Sequence, residues 1–134
     1  HGLHHDELMS LTKPGRSGLE EIQKTMTLLR SNSPREIAGH AVAEVVDYQL
    51  QTRRNLQSGR IETLTLPKSN VIQLLMANGD RITARPSGTE PKIKYYFNTM
   101  GVRLDRERLT KHYQEVREDL RERVESYRQV LTGY

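Results

Sequence analysis

Hydrophobic positions recur along this chain in two periods, and the changeovers between them mark its elements. Leu19, Ile22, Met26 and Leu29 keep helical spacing, and Ser17 with Glu20 forms a capping-box pair ahead of them, so a first helix is predicted to run to about Arg30. Ser33-Pro34-Arg35-Glu36, closed by Gly39, predicts one further turn of helix. The period then shortens: Val42, Val46 and Tyr48 fall in alternate register across 41–48, as in a strand. Residues 49–69 are polar and predict a long surface loop with one edge strand within 61–66.

The clearest pattern follows. Two strand-like runs, 71–77 and 80–85, flank Asn78-Gly79, the dipeptide favoured where a type I′ turn needs positive φ at both central residues. After a loop at 86–91, Ile93, Tyr95 and Phe97 alternate with Lys92, Lys94 and Tyr96, giving a third strand and a meander. Asp105 then predicts the N-cap of a long helix carrying Leu109, Tyr113, Val116, Leu120, Val124, Tyr127 and Leu131 at spacings of three and four, with a charged opposite face. Residues 1–16, with Pro14-Gly15 and little periodicity, read as a tail or linker leading to the first helix. The fold class predicted is α+β, a small antiparallel sheet with one face covered by helices.

Composition narrows the classes of function. The 134 residues make one domain, and 34% apolar with 28% charged residues predict a thin core. With no cysteine there is neither a disulfide framework nor a thiolate metal site. No apolar run approaches the roughly 18 residues of a membrane span, and nothing reads as a signal peptide, so a soluble cytoplasmic protein without a membrane partner is expected. The opening His1-Gly2-Leu3-His4-His5 reads as a cut inside a longer chain or the residue of a tag. A net charge of +4 and a pI near 9.5 favour an anionic partner.

The chemistry is concentrated in Arg85-Pro86-Ser87-Gly88-Thr89-Glu90-Pro91-Lys92-Ile93-Lys94. A phosphate dianion needs charge-assisted donors, hydroxyls that can turn, and backbone that can approach closely. Arg85 supplies a planar fork, Ser87 and Thr89 hydroxyls, Gly88 close approach, and Lys92 and Lys94 positive charge, while two prolines stiffen the loop. Read by composition alone, the same string is equally a polar hairpin loop with solvated charges.

That string, continued by Tyr95, resembles the phosphate-binding loop of the C-terminal, fourth domain of the α-D-phosphohexomutase family, which includes phosphoglucomutases and phosphomannomutases. Leu66-Pro67-Lys68-Ser69-Asn70-Val71 and Ser33-Pro34-Arg35-Glu36-Ile37-Ala38-Gly39 are similar to further landmarks of the family, so the resemblance covers nearly the whole chain. It implies a TATA-binding-protein-like fold, with 1–32 as a tail and a helix connecting from the preceding domain, and 33–134 as the phosphate-binding domain. It implies that Arg85, Ser87, Gly88, Thr89 and Lys94 hold the phosphate of a hexose 1-phosphate or hexose 6-phosphate that is not being transferred. The family's phosphoserine loop, its aspartate-rich Mg2+ loop and its sugar-recognition loop have no counterpart in these 134 residues. The resemblance therefore implies an intramolecular phosphotransferase whose Mg2+ and catalytic residues belong to preceding domains, with no catalytic or metal residue in this stretch and no turnover by it alone.

The remaining candidates are weaker. Asn78-Gly79-Asp80-Arg81 echoes an aspartate-rich metal loop but has one carboxylate, where a hard cation takes several oxygens. His4-His5-Asp6-Glu7 reads as a solvated tail rather than a metal site, His40 and His112 as surface or packing residues, and no Ser, His and Asp combination suggests a nucleophilic triad. The last helix has many arginines, but interleaved acids make it an exposed, internally paired helix rather than a nucleic-acid stripe. A stand-alone anion-binding module for RNA or a phosphorylated partner is the alternative reading.

Overall fold

A computed structural model describes the backbone of residues 4–100 and 106–134 and the side chains of 4–99, 115 and 117–134. The architecture is α+β. Strands β1 (His4–Thr12), β8 (Lys92–Met100), β7 (Arg81–Pro86), β6 (Ile72–Met76), β3 (His40–Asp47), β4 (Thr52–Asn55) and β5 (Ile61–Thr63) lie side by side in that order, each antiparallel to its neighbours, and β2 (Glu36–Ile37) adds to β3. Helices α1 (Gly18–Ser31) and α2 (Arg106–Thr132) pack on one face. No helix among the described residues is long and apolar enough to cross a membrane.

The core is the meeting of two periodicities. Ile93, Tyr95 and Phe97 on β8, Ile82 and Ala84 on β7, and Ile72, Leu74 and Met76 on β6 point inward at every second position. Ile22, Met26 and Leu29 of α1 and Leu120, Val124, Tyr127 and Leu131 of α2 are buried at helical spacing. Phe97 stacks on Tyr127, with centroids 6.4 Å apart and planes 9° from parallel, which joins the sheet to α2. The expected inner positions Leu109, Tyr113 and Val116, the N-cap Asp105 and His112 lie outside the described side chains.

Several local expectations are corrected. The stretch read as a tail contains β1, which pairs with all of β8 from His4↔Met100 to Thr12↔Lys92 and brings Met9 into the core. Leu19 is 42% exposed, because the first turn of α1 meets the sheet through Gly18 instead: a Cβ there would lie 2.3 Å from the Lys13 carbonyl oxygen and 2.7 Å from Pro91 Cβ. Ser17 precedes α1 without a side-chain capping bond. The second helical turn is absent, since Ser33 Oγ donates to the Leu29 carbonyl of the finished helix and Glu36–Ile37 pairs with β3. A β4 strand occupies part of the loop expected at 49–69.

The two tight turns exchange geometries. Ala38 and Gly39, joining β2 to β3, have φ of 53° and 82°, the positive pair a type I′ turn requires. At Asn78-Gly79 only Gly79 is positive (φ 96°); its N–H donates to the Met76 carbonyl at 3.0 Å, and the Met76 N–H to the Asp80 carbonyl at 2.9 Å. That is a three-residue loop ending in a glycine bulge, and the Asn78 side-chain carbonyl accepts from the Asp80 N–H at 2.8 Å.

Candidate functional site

The loop 87–91 joins β7 to β8 in the interior of the sheet order, so it is held by strands bonded on both edges. The pairs Arg85↔Lys94 and Pro86↔Ile93 end the ladder, and the Ser87 N–H donates to the Lys92 carbonyl at 2.9 Å to close the loop's base. The Lys92 N–H turns back onto the Glu90 carbonyl at 2.7 Å, and the Lys13 N–H reaches the Pro91 carbonyl at 2.8 Å, which ties the loop to the end of β1. Gly88 has φ 86°, a conformation costly for any residue with a side chain, and stands in open space. Because Ile93, Tyr95 and Phe97 fill the core face of β8, Lys92, Lys94 and Tyr96 stand on the opposite face, the one without helices.

Between loop and strand lies a concavity of about 350 Å³, within the size range of small-molecule sites. Arg85, Lys92 and Lys94 bring three cationic side chains to it, Glu90 one carboxylate and Ser87 one hydroxyl, with Pro86 and Tyr96 as walls. None of these charged groups makes a side-chain hydrogen bond or ion pair with another described residue. Three cations against one carboxylate, none of them paired with another described residue, leave the concavity net positive and suit an anionic ligand.

Of the residues singled out by sequence, Arg85, Ser87, Lys92 and Lys94 line the concavity together. Gly88 and Thr89 form the exposed tip of the loop and are not among the lining residues. Glu90 and Tyr96 join the site. The alternation that puts Lys92 and Lys94 on the outer face puts Tyr96 there too, so one of the two had a signal.

The other candidates have structural partners. The carboxylate of Asp80, in the sequence that echoes a metal loop, is 0% exposed; it accepts from the Tyr127 hydroxyl at 2.6 Å and pairs with Arg123 at 2.8 Å to Nε. Burial, and then the hydrogen bond to Asp80, push the Tyr127 hydroxyl above its usual pKa. A carboxylate already held by a guanidinium and a phenol does not fit Mg2+, and among the described residues no group of three or more His, Asp or Glu side chains is placed to hold a metal. His5 and Glu7 sit on β1 with Nε2 and Oε1 3.0 Å apart, Glu7 faces Arg128 of α2, and Asn98 donates to Asp6, so these are sheet residues rather than a solvated tail. His40 packs edge-on to Tyr127, at 5.6 Å between centroids.

Comparison with known proteins finds phosphoglucomutases. No family model matches the chain. The phosphoglucomutase of Staphylococcus epidermidis is 41% identical over 97 residues, that of Staphylococcus aureus 44% and that of Staphylococcus saprophyticus 39% over the same length. The matched stretch is 72% of this chain but only 17–18% of each relative, so the chain spans less than a fifth of the proteins it matches. With an α+β fold and an identity near 40% across most of its length, the chain belongs to the α-D-phosphohexomutase family as a part of such a protein.

Proposed function

We propose that this chain is the C-terminal, phosphate-holding domain of a phosphoglucomutase-like enzyme that interconverts hexose 1-phosphate and hexose 6-phosphate in the cytoplasm. The observation that carries this reading is the group of three unpaired cations and the Ser87 hydroxyl around one concavity. In the proposal Arg85, with its planar fork, and Lys94 hold the phosphate that is not being transferred. Ser87 and Thr89 donate hydroxyls, and Gly88 lets the backbone approach. Thr89, on the exposed loop tip outside the lining, takes its role from the family resemblance. The contribution to catalysis is positioning: fixing one end of the sugar phosphate leaves the opposite hydroxyl where a phosphoryl group passes to and from the parent enzyme. The proposal assigns the Mg2+ and the phosphorylated nucleophile to other domains of the parent, in keeping with the lack of a metal-holding group among the described residues, and this chain alone is expected to show no turnover.

Each charge-assisted contact contributes about 1.5–3 kcal/mol, against about 4–15 kcal/mol lost on association. The isolated chain should therefore bind a sugar phosphate weakly, on the order of 1 mM. Titration with glucose 1-phosphate and glucose 6-phosphate, followed by amide chemical shifts, tests this. Shifts should centre on 85–94, and Arg85→Ala should weaken binding about 10- to 100-fold. Shifts confined to α2 and induced by oligonucleotide in a salt-dependent manner would instead support a stand-alone module for RNA. The pairing of Arg123 with Asp80 and of Arg128 with Glu7 speaks for the first outcome.

A further inference from the structure

The concavity is not uniformly basic. Glu90 faces the same space as Arg85, Lys92 and Lys94, yet its carboxylate pairs with none of them, and no hydrogen bond to another described residue occupies it. A site built only to collect anions gains nothing from an acceptor-only group, because a carboxylate close to a bound dianion repels it. The same group becomes useful where the ligand carries hydroxyls beside its phosphate. A hydroxyl donating to the carboxylate makes a charge-assisted hydrogen bond and offsets the repulsion. Three cations against one carboxylate still leave two positive charges in excess, matching a phosphate monoester above its second pKa of about 6.

We infer that Glu90 is the specificity-determining residue of this site, accepting a hydrogen bond from a ligand hydroxyl and thereby selecting a polyol phosphate over a bare anion. The inference rests on the phosphate reading of the concavity and adds the class of ligand that it favours. The loop geometry supports it: the Glu90 carbonyl is fixed by the Lys92 N–H at 2.7 Å, so its side chain reaches the concavity from a held backbone. A residue placed in this way excludes wrong ligands by repulsion as well as recognising the right one.

The experiment compares four ligands by amide chemical-shift titration of the 134-residue chain and its Glu90→Gln variant. The ligands are sulfate, inorganic phosphate, methyl phosphate and glucose 6-phosphate. Glu90 is exposed, so the variant should fold, and resonances away from 85–96 serve as the check. In the wild-type chain glucose 6-phosphate should bind more tightly than methyl phosphate, which has the ester but no hydroxyl. In Glu90→Gln that preference should shrink about three- to tenfold, mainly because sulfate, phosphate and methyl phosphate bind more tightly. An unchanged preference, or an equal gain by all four ligands, overturns the role of Glu90 while leaving the phosphate reading standing if Arg85→Ala still weakens binding. Absence of binding by every ligand, with Arg85→Ala silent, overturns the phosphate reading and this inference with it.

Discussion

Replacing Asp80 by Asn removes one charge from a buried cluster while keeping its shape. The Asp80 carboxylate accepts from the Tyr127 hydroxyl at 2.6 Å and from Arg123 Nη2 at 3.2 Å, forms an ion pair with Arg123 whose Nε lies 2.8 Å away, and its side chain is 0% exposed. In the variant one carbonyl oxygen remains for Tyr127, but an amide NH2 is turned toward a guanidinium that has only donors. Breaking a buried pair from one side costs about 3–5 kcal/mol. The Arg123 side chain is 21% exposed and reaches water, so the lower end, about 3 kcal/mol, applies. An unfolding entropy of about 2.1 cal/mol/K per residue converts this to a fall in Tm of about 10 °C, or about 1.5 M in the urea midpoint at a slope of about 2 kcal/mol/M. Circular dichroism melts and urea titrations measure both. Arg123→Met should cost at least as much, because it leaves the carboxylate buried with one donor fewer, and the double variant should lose less than the two single losses added together. A loss below about 0.5 kcal/mol for Asp80→Asn, or strict additivity, would refute the view that this pair joins the β6–β7 turn to α2.

Two further outcomes follow from the packing. Tyr95 and Tyr127 both have hydroxyl pKa values raised above 10, chiefly by burial, so the folded state holds these protons more tightly than the unfolded chain. Their contribution is complete below about pH 10 and declines as pH rises beyond it, by up to about 1.4 kcal/mol per pH unit for each tyrosine. Urea midpoints at pH 8 to 11 should show that decline, and Tyr127→Phe should make it shallower; a flat profile would contradict the assignment. Gly18→Ala forces a methyl group against the Lys13 carbonyl and Pro91, costs about 1–3 kcal/mol and should shift the amides of Lys92 and its neighbours, whereas Gly88→Ala meets no atom within 4 Å and should cost only the strain of its φ, about 1 kcal/mol.

The elements legible in the sequence are those in which the residue period and the buried face coincide. β6, β7 and β8 were readable because Ile72, Leu74, Ile82, Ala84, Ile93, Tyr95 and Phe97 alternate, and α2 because Leu120, Val124, Tyr127 and Leu131 keep their spacing. β1 was not readable: of its nine residues only Met9 is buried, Leu8 is 53% exposed on the outer face, and its partners on β8 are about 80 or more positions away. β4, Thr52-Arg53-Arg54-Asn55, has no apolar residue and exists through its ladders to β3 and β5. The site was more legible than the fold around it, since a contiguous loop needs no long-range partner to display its donors. Glu90 was the exception, because a carboxylate beside basic residues reads as an internal pair until the structure shows it unpaired. The role of Asp80 depends on Arg123, 43 positions later, and no local pattern announces that pairing.

The position of loop 87–91 between two interior strands also sets its kinetics. Amides of β7 and β8 are locked on both sides by neighbouring strands, so they should exchange with solvent only through large-scale opening, while those at the loop tip exchange freely. A ligand arriving there meets a rim whose two anchor points do not drift, and its residence time reports the contacts it makes rather than the wandering of the chain beneath it.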